Sequence, residues 1–477
     1  MSRSRPRGST LVLWTLGGVV GTLLLVFALA VGPWLFTRYP RHGLTSEQAL
    51  KAKNDVRTTL VQACVGLAVA SGAVVTYRTF HQNRLEHDRA YRLQKIEQVN
   101  EFFATAVDQL GNQHAPVRLG ALYSLGQLAQ ANPDQRTSVI DVICGYLRMP
   151  YAPSPPAHTG GSGAVVSPGL PLGSTGSPPD DHRDAHQELQ VRLTAQRLLA
   201  AHLRPPDGHR GEAAQRLDAT PDEDFWPGVS LDLTGAALVD LDLREASVDG
   251  ARFEGATLTG DTSFVDATFT GDAVFTGASF LGDARFVKTE FLAKARFDQA
   301  TFTRTTRFDD TKFRGKTWFD RSRFLEDARF DGAVFAEGVW FGGATFDGSA
   351  LFGSAVFTGD ARFSGSTFAG LTRFANVEFN GLAGFAEATF AHNARFGGAK
   401  FGSAVRFDRA TFAGGAQFDQ ATFADDGGLR GAYVLHLDDP NLNTAEPDAR
   451  RIWPTGWEVR PGWDDPTRGK LVRAYRR

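Results

Sequence analysis

Apolar and polar positions along the chain fall into three regimes: long uncharged runs, then helical periodicity, then strict short-range alternation. The first run, Leu11 to Phe36, holds 26 residues without a charge. As a helix rising 1.5 Å per residue it crosses a ~30 Å hydrocarbon core. Arg3, Arg5 and Arg7 precede it, and Pro33, Trp34, Arg38 and Tyr39 form an interfacial edge. A cleaved leader would be shorter and end at a small-residue site. A milder apolar stretch, about 56–77 with Cys64, Gly66 and Gly72, predicts a second span; a buried soluble helix is its alternative. Gly17/Gly21 and Gly66/Ala70 have the spacing that lets helices approach closely. Eight basic residues flank the pair of spans and five lie in the loop between them, which favours both termini in the cytoplasm and a plasma-membrane location.

From about Gln82 to Leu147 the period is helical. Leu93, Ile96, Val99, Phe103 and Val107 fall on one face. A break at Gly111–Pro116 precedes a second helix with Val117, Leu119, Leu122, Leu125 and Leu128. Asn132-Pro133-Asp134 then separates it from a third with Val139, Val142, Ile143 and Leu147. This resembles one HEAT- or armadillo-type unit, which buries little alone and needs itself, the membrane-proximal helix or a second chain to pack on. Residues 150–179 are rich in Pro, Gly and Ser and read as a linker. A short helix, about Ala185 to Leu203, and a polar loop lead on.

Spacing then becomes five. Leu233, Leu238, Leu243, Val248, Phe253 and Leu258 are the large members, each with an apolar, usually small, residue two positions earlier. From Phe264 the intervals alternate five and six without a slip to Phe423, as in Phe264, Phe269, Phe275, Phe280, Phe286 and Phe291. An α-helix can carry an eleven-residue period. Recurrent Gly and Asp at the breaks, and Thr and Phe between them, favour strand instead. Eleven residues could close one narrow coil, or two units could close a four-sided coil of 22. Residues 22 apart decide for the longer coil. Ser279, Thr301, Arg323, Thr345, Thr367, Thr389 and Thr411 all carry a hydroxyl except Arg323, Glu290 meets Lys312, Val334 meets Val356, Glu378 meets Lys400, and Trp318 meets Trp340 between Arg296 and Arg362. Such matching is what neighbouring strands reward. Nine or ten coils at ~4.8 Å make a stiff rod of roughly 45 Å. Its open end needs a cap, expected from Trp453, Trp457 and Trp463.

Composition adds the repeat signature of 51 Gly and 37 Phe against 2 Met, and a net charge of −2 that marks no polyanion partner. Cys64 and Cys144 sit in unlike settings and form neither a disulfide framework nor a zinc site. Gly160-Gly161-Ser162-Gly163 lacks the strand, helix and Gly-Lys-Ser/Thr of a phosphate loop. His182 and His186 have zinc-helix spacing without the HExxH glutamate. Arg285, Arg307, Arg329, Arg373 and Arg395 fall in one column, but nearby acids make it a salt-bridged face rather than a nucleic-acid surface. Between Val229 and Leu435 stand 27 acids and 21 bases, eight of the acids lying between Asp232 and Asp266. No catalytic, cofactor or metal residues are expected, and the chain is read as a non-enzyme.

Leu231 to about Val434 resembles the pentapeptide-repeat proteins. The longer arrangement is similar to membrane-anchored actinobacterial members, on Phe102–Gly111, Val117–Leu125 and Asn54–Leu60. The resemblance implies a right-handed four-sided β-helix and little chemistry. The expected fold is mixed: an anchor over 1–81, a helical segment over 82–149, a linker over 150–184, a lead-in over 185–228, a β-solenoid over 229–437 and a cap over 438–477. The expected function is a membrane-anchored, non-catalytic scaffold offering its faces to an unknown protein, with homo-oligomerisation open. Membrane-linked sensing through the helical segment is the alternative. A DNA-mimic topoisomerase inhibitor is disfavoured by the mild acidity of the solenoid.

Overall fold

The computed structural model describes residues 45–151, 181–206, 224–425, 428–438 and 451–474, together with Phe27 and Val31. The chain divides into two compact units, Met1–Glu101 and Phe102–Arg477. Apart from Phe27 and Val31, the first expected span lies outside the described residues. The second lies inside α1 (Ser46–Leu110), a single unbroken helix. The helix runs without interruption across the boundary placed between anchor and helical segment at 81/82, because no Gly or Pro occurs between Tyr77 and Leu110 to stop it. Among the described residues one stretch, Ser46–Arg84, is long and apolar enough to cross a membrane, and none of its apolar window is buried. Its hydroxyls close on the helix itself: Thr58 Oγ1 donates to the Asn54 carbonyl at 2.7 Å and Thr76 Oγ1 to Gly72 at 2.8 Å. These polar side chains are thereby satisfied within the helix. Leu93 and Ile96, on the expected apolar face, stand exposed; burial in α1 begins at Ala106 and Leu110.

In the second unit α2 (Ala115–Ala131) and α3 (Arg136–Arg148) are joined by a single 3₁₀ turn, Pro133–Gln135. α2 buries Leu122, Leu125 and Leu128; α3 buries Val139, Ile143 and Leu147. The helix expected only as a lead-in is α4 (Asp181–Leu203), and it completes this bundle. It inserts Val191, Ala195, Leu199 and Leu203 against α2 and α3. A buried Arg192 ties the bundle together. Its guanidinium donates to the carbonyls of Leu147 and Met149 at the end of α3, at 3.0 and 2.7 Å, and pairs with Glu188 at 2.9 Å. Glu188 also accepts from Tyr146 and Arg118.

The bundle closes the first coil of a solenoid. The Gln196 amide donates to the Val239 carbonyl at 2.7 Å and accepts from its N–H at 3.2 Å. One side chain so supplies what a preceding strand would give strand Ala237–Val239. Arg148 reaches Asp232 at 2.7 Å, and the Trp226 N–H bonds the His202 carbonyl at the last turn of α4.

Four parallel sheets run the length of the solenoid. The first coil pairs at offsets of 20 and 21, Leu238 against Leu258 and Ser247 against Thr268. Thereafter the offset is 22, as in Glu290 with Lys312, Val334 with Val356 and Trp318 with Trp340. The 22-residue coil is therefore correct and the eleven-residue coil is not. Two-residue strands alternate an outward residue with an inward one, and every inward Phe from Phe253 to Phe412 is buried. Each ring lies parallel on the ring 22 positions away, at 4.7 Å for Phe330–Phe352 and 5.1 Å for Phe379–Phe401. Neighbouring columns meet edge-to-face, as in Phe330–Phe341 at 5.7 Å and 89°. Small residues two positions before most Phe leave room for the rings, and several of the hydroxyls among them bond backbone: Thr289 Oγ1 donates to the Phe264 carbonyl at 2.7 Å.

Five-residue sides turn through a residue with positive φ. Gly277 at φ 67° suits this place, with the Ala278 N–H closing on the Phe275 carbonyl. The equivalent corners are held by Lys288, Gln299 and Arg321 at φ 55–57°. L-residues pay conformational strain there.

At the far end strand Tyr433–Val434 continues the fourth sheet and pairs antiparallel with Gly469–Arg473, which pairs with Trp457–Pro461. Trp453 covers Phe412 and Phe418 at ring distances of 5.5 and 6.0 Å. Arg451 donates to the carbonyls of Ala413, Gly414 and Leu435. Trp463 takes no part in covering the end; it is fully exposed.

Two opposite responses follow. Phe341→Ala opens a cavity in the stacked core and lowers solenoid stability by about 3–5 kcal/mol. Lys288→Gly relieves a corner and raises stability by about 1 kcal/mol. Urea unfolding followed by far-UV circular dichroism reads both.

Candidate functional site

A core filled by rings puts every chemically distinctive side chain of the solenoid on its outside. Register turns these into columns. On the first face the Arg296 guanidinium lies 5.8 Å from the Trp318 ring, and the Trp318 and Trp340 indoles stack at 5.2 Å and 10°. Arg362 lies 5.9 Å from Trp340 on the other side. This four-residue ladder was legible in the sequence, and its cations are held in turn by Asp298 at 2.9 Å and Asp360 at 3.2 Å. Locked rotamers of Trp and Arg on a rigid sheet form a preorganised patch.

Beside the ladder, at a corner, lies a hollow of about 390 Å³ lined by Thr276, Arg296, Asp298, Asp320, Arg321 and Gly342. Asp298 accepts from Arg296 and Thr276, and Asp320 accepts from the Gly342 N–H at 2.7 Å. Burial, reinforced by Asp298, holds the Asp320 carboxyl above its ordinary range. The sequence reading missed this pair, although Asp298 and Asp320 stand 22 apart. The hollow offers fixed acceptors and a guanidinium, a set suited to holding a polar side chain. Among the described residues no group of three or more His, Cys, Asp or Glu could hold a metal ion.

The second face carries the arginine column. Arg285 pairs with Asp261 and Asp283, Arg307 with Asp309, and Arg329 with Asp309 and Asp331. Arg373 has no acidic partner among the described residues. The third face holds Glu290–Lys312 at 2.5 Å and Glu378–Lys400 at 2.7 Å. The fourth is the hydroxyl ladder, with Ser279, Thr301, Thr345, Thr367, Thr389 and Thr411 in one column interrupted by Arg323, and Leu281 and Leu325 exposed beside it.

The other sequence candidates are not assembled into a site. His186 is exposed, and Gly160–Gly163 lie outside the described residues, as does the His182 side chain. Cys144 is buried in α3, and burial pushes its thiol up to about 12. Cys144 is thus a packing residue. It is expected to resist maleimide at pH 8 until the protein unfolds. Its folded pKa lies above the unfolded one, so this contribution to stability is whole below pH 9 and is lost as pH rises toward 12. Cys144→Ala should flatten that alkaline slope, measured by denaturation across the range. On the third face Glu290→Lys should cost up to about 1 kcal/mol, with Lys312→Glu restoring it in the double variant.

Two comparisons, with curated proteins and with solved structures, return no match to this chain. A family model does match: pentapeptide repeats (9 copies), over residues 264–312, 308–356, 352–400 and 385–432. The match begins where the five-and-six alternation of Phe begins and ends inside the last coil. Residues 264–432 are thus pentapeptide repeats of this family.

Proposed function

We propose that the protein is a membrane-tethered, non-catalytic scaffold that holds a rigid solenoid on the cytoplasmic side of the plasma membrane and docks a partner protein on it. The observation that carries this reading is the Arg296–Trp318–Trp340–Arg362 ladder beside the Asp298/Asp320 hollow. Trp and Arg dominate the energetics of protein interfaces. Here they are fixed before binding, so little ordering entropy opposes association. The apolar part of α1, uncovered along its length, supports the tether.

A specific feature favours a second reading, membrane-linked sensing through the helical segment. A groove of about 400 Å³ runs between α2 and α4, lined by Tyr123, Gly126, Leu198, Ala201 and His202, and Tyr123 stands exposed. An apolar ligand or helix would fit it.

Cross-linking in native membranes, followed by purification of the full chain in detergent, separates the two. Under the scaffold reading a defined protein is recovered with the wild type and falls at least about tenfold with Trp318→Ala/Trp340→Ala. Loss with Tyr123→Ala and not with the Trp variant supports sensing. Recovery unchanged by either, or a turnover activity of the purified chain, overturns the scaffold.

A further inference from the structure

The strand Trp457–Pro461 is the outermost member of a twelve-stranded sheet. One of its edges pairs with Gly469–Arg473; the other faces no strand among the described residues. The alternation of its backbone groups follows from one bond. The Gly462 N–H donates to the Arg468 carbonyl at 2.8 Å, which makes residues 458, 460 and 462 face the neighbouring strand. Trp457, Val459 and Pro461 therefore present their backbone to the open edge. Pro461 has no N–H, and the Trp457 N–H is taken by the Pro454 carbonyl at 3.1 Å. What remains at the centre is Val459, with a free donor and a free acceptor on the open side.

An open strand end normally carries charges that repel a second strand. Here Glu458 and Arg460 flank Val459 symmetrically; within one chain they meet each other only at 3.5 Å, and both side chains are more than half exposed, at 52% and 58%, free to re-pair across an edge. A two-fold axis through Val459 puts Glu458 of each copy opposite Arg460 of the other. The charges thus attract a copy of the same strand, whereas two like charges in these places would exclude it. A separate observation points the same way. Trp463, four residues beyond the axis, is fully exposed. The same symmetry sets it opposite position 455 of the other copy, beside the turn Pro454–Gly456. A fully exposed indole at the rim of an open edge is an anchor awaiting a surface.

We propose that Trp457–Pro461 pairs antiparallel with the same strand of a second copy, joining two solenoids through their C-terminal ends about an axis at Val459. The two Val459 residues exchange both backbone bonds, Glu458 and Arg460 cross-pair, and Trp463 closes over the neighbouring turn. The dimer continues the fourth sheet from one protomer into the next.

Full-length protein in detergent tests this directly. Paired Val459 residues bring their Cα atoms to about 5.5 Å, within reach of a disulfide. Val459→Cys is expected to give a covalent dimer on mild oxidation in yield well above the wild type, whose own Cys64 and Cys144 set the background. Adding Glu458→Arg should lower that yield about tenfold by setting Arg against Arg. Adding Arg460→Glu as well should restore it, which also shows that the charge variants fold. Sedimentation of Glu458→Arg and of the double charge swap, without the cysteine, should show the same loss and recovery of association. Val459→Cys cross-linking no better than wild type overturns the proposal, and so does a yield indifferent to the sign at position 458.

Discussion

Parallel strands in register place each side chain directly over its equivalent one coil below, at a spacing the backbone hydrogen bonds dictate. For phenylalanine that spacing falls within the roughly 4.5–7 Å centroid separation that offset-stacked rings prefer. The Phe columns stack at 4.7–5.1 Å because the strands already stand that far apart. Neither contact has to be strained to allow the other. Everything else in the solenoid follows from this coincidence. The rings fill the cross-section, so residues two positions earlier stay small, and hydroxyls among them find backbone carbonyls, as those of Thr289 and Thr311 do. The corners must turn the chain onto the next side of the coil within a few residues, which brings positive φ at Lys288, Gln299 and Arg321 even without glycine.

Stacking of identical coils leaves no intrinsic end. Each terminal coil exposes backbone groups that fit another strand, and the chain treats its two ends differently. At the first coil a helical bundle is set down and a single amide, Gln196, reproduces a strand's hydrogen bonds. At the last coil an antiparallel hairpin extends the fourth sheet, while Trp453 and Arg451 cover the other exposed groups. The first solution consumes the edge. The second moves it outward, from a coil whose edge would pair with anything to the short strand Trp457–Pro461, whose charges select what it meets.

The repeat was legible because its signals are local and repeated. Inward Phe marks the strand, the five-and-six interval marks the corners, and the matching of Glu290 with Lys312 or Trp318 with Trp340 marks the register. The ends were less legible because their contacts are single and distant. Nothing in the α4 sequence announces that Val191 and Leu199 pack on helices some fifty residues earlier, across a linker. Nothing marks Gln196 as a strand surrogate. The helical pattern from Leu93 to Val107 marks one apolar face, and such a pattern states only which residues share a side; Leu93 and Ile96 share it exposed. The Asp298/Asp320 hollow needed both the register and the depth of the corner, and the sequence holds only the first.

A surface built this way is constrained as strongly as the core. Any outward residue joins a column whose members lie one strand spacing apart, so like charges repeated in it repel unless acids stand between them. The arginine column shows the rule, since Arg285, Arg307 and Arg329 each have carboxylates at their flanks. Information can therefore enter only where a column departs from its own repetition. Two tryptophans between two arginines form such a departure, and the flanking cations stabilise it through the rings. It also sits beside the corner where Asp298 follows Thr276 and Gly342 follows Asp320, so that two columns break together and leave a hollow. Repetition supplies the stiffness, and the position of the interruption supplies the address.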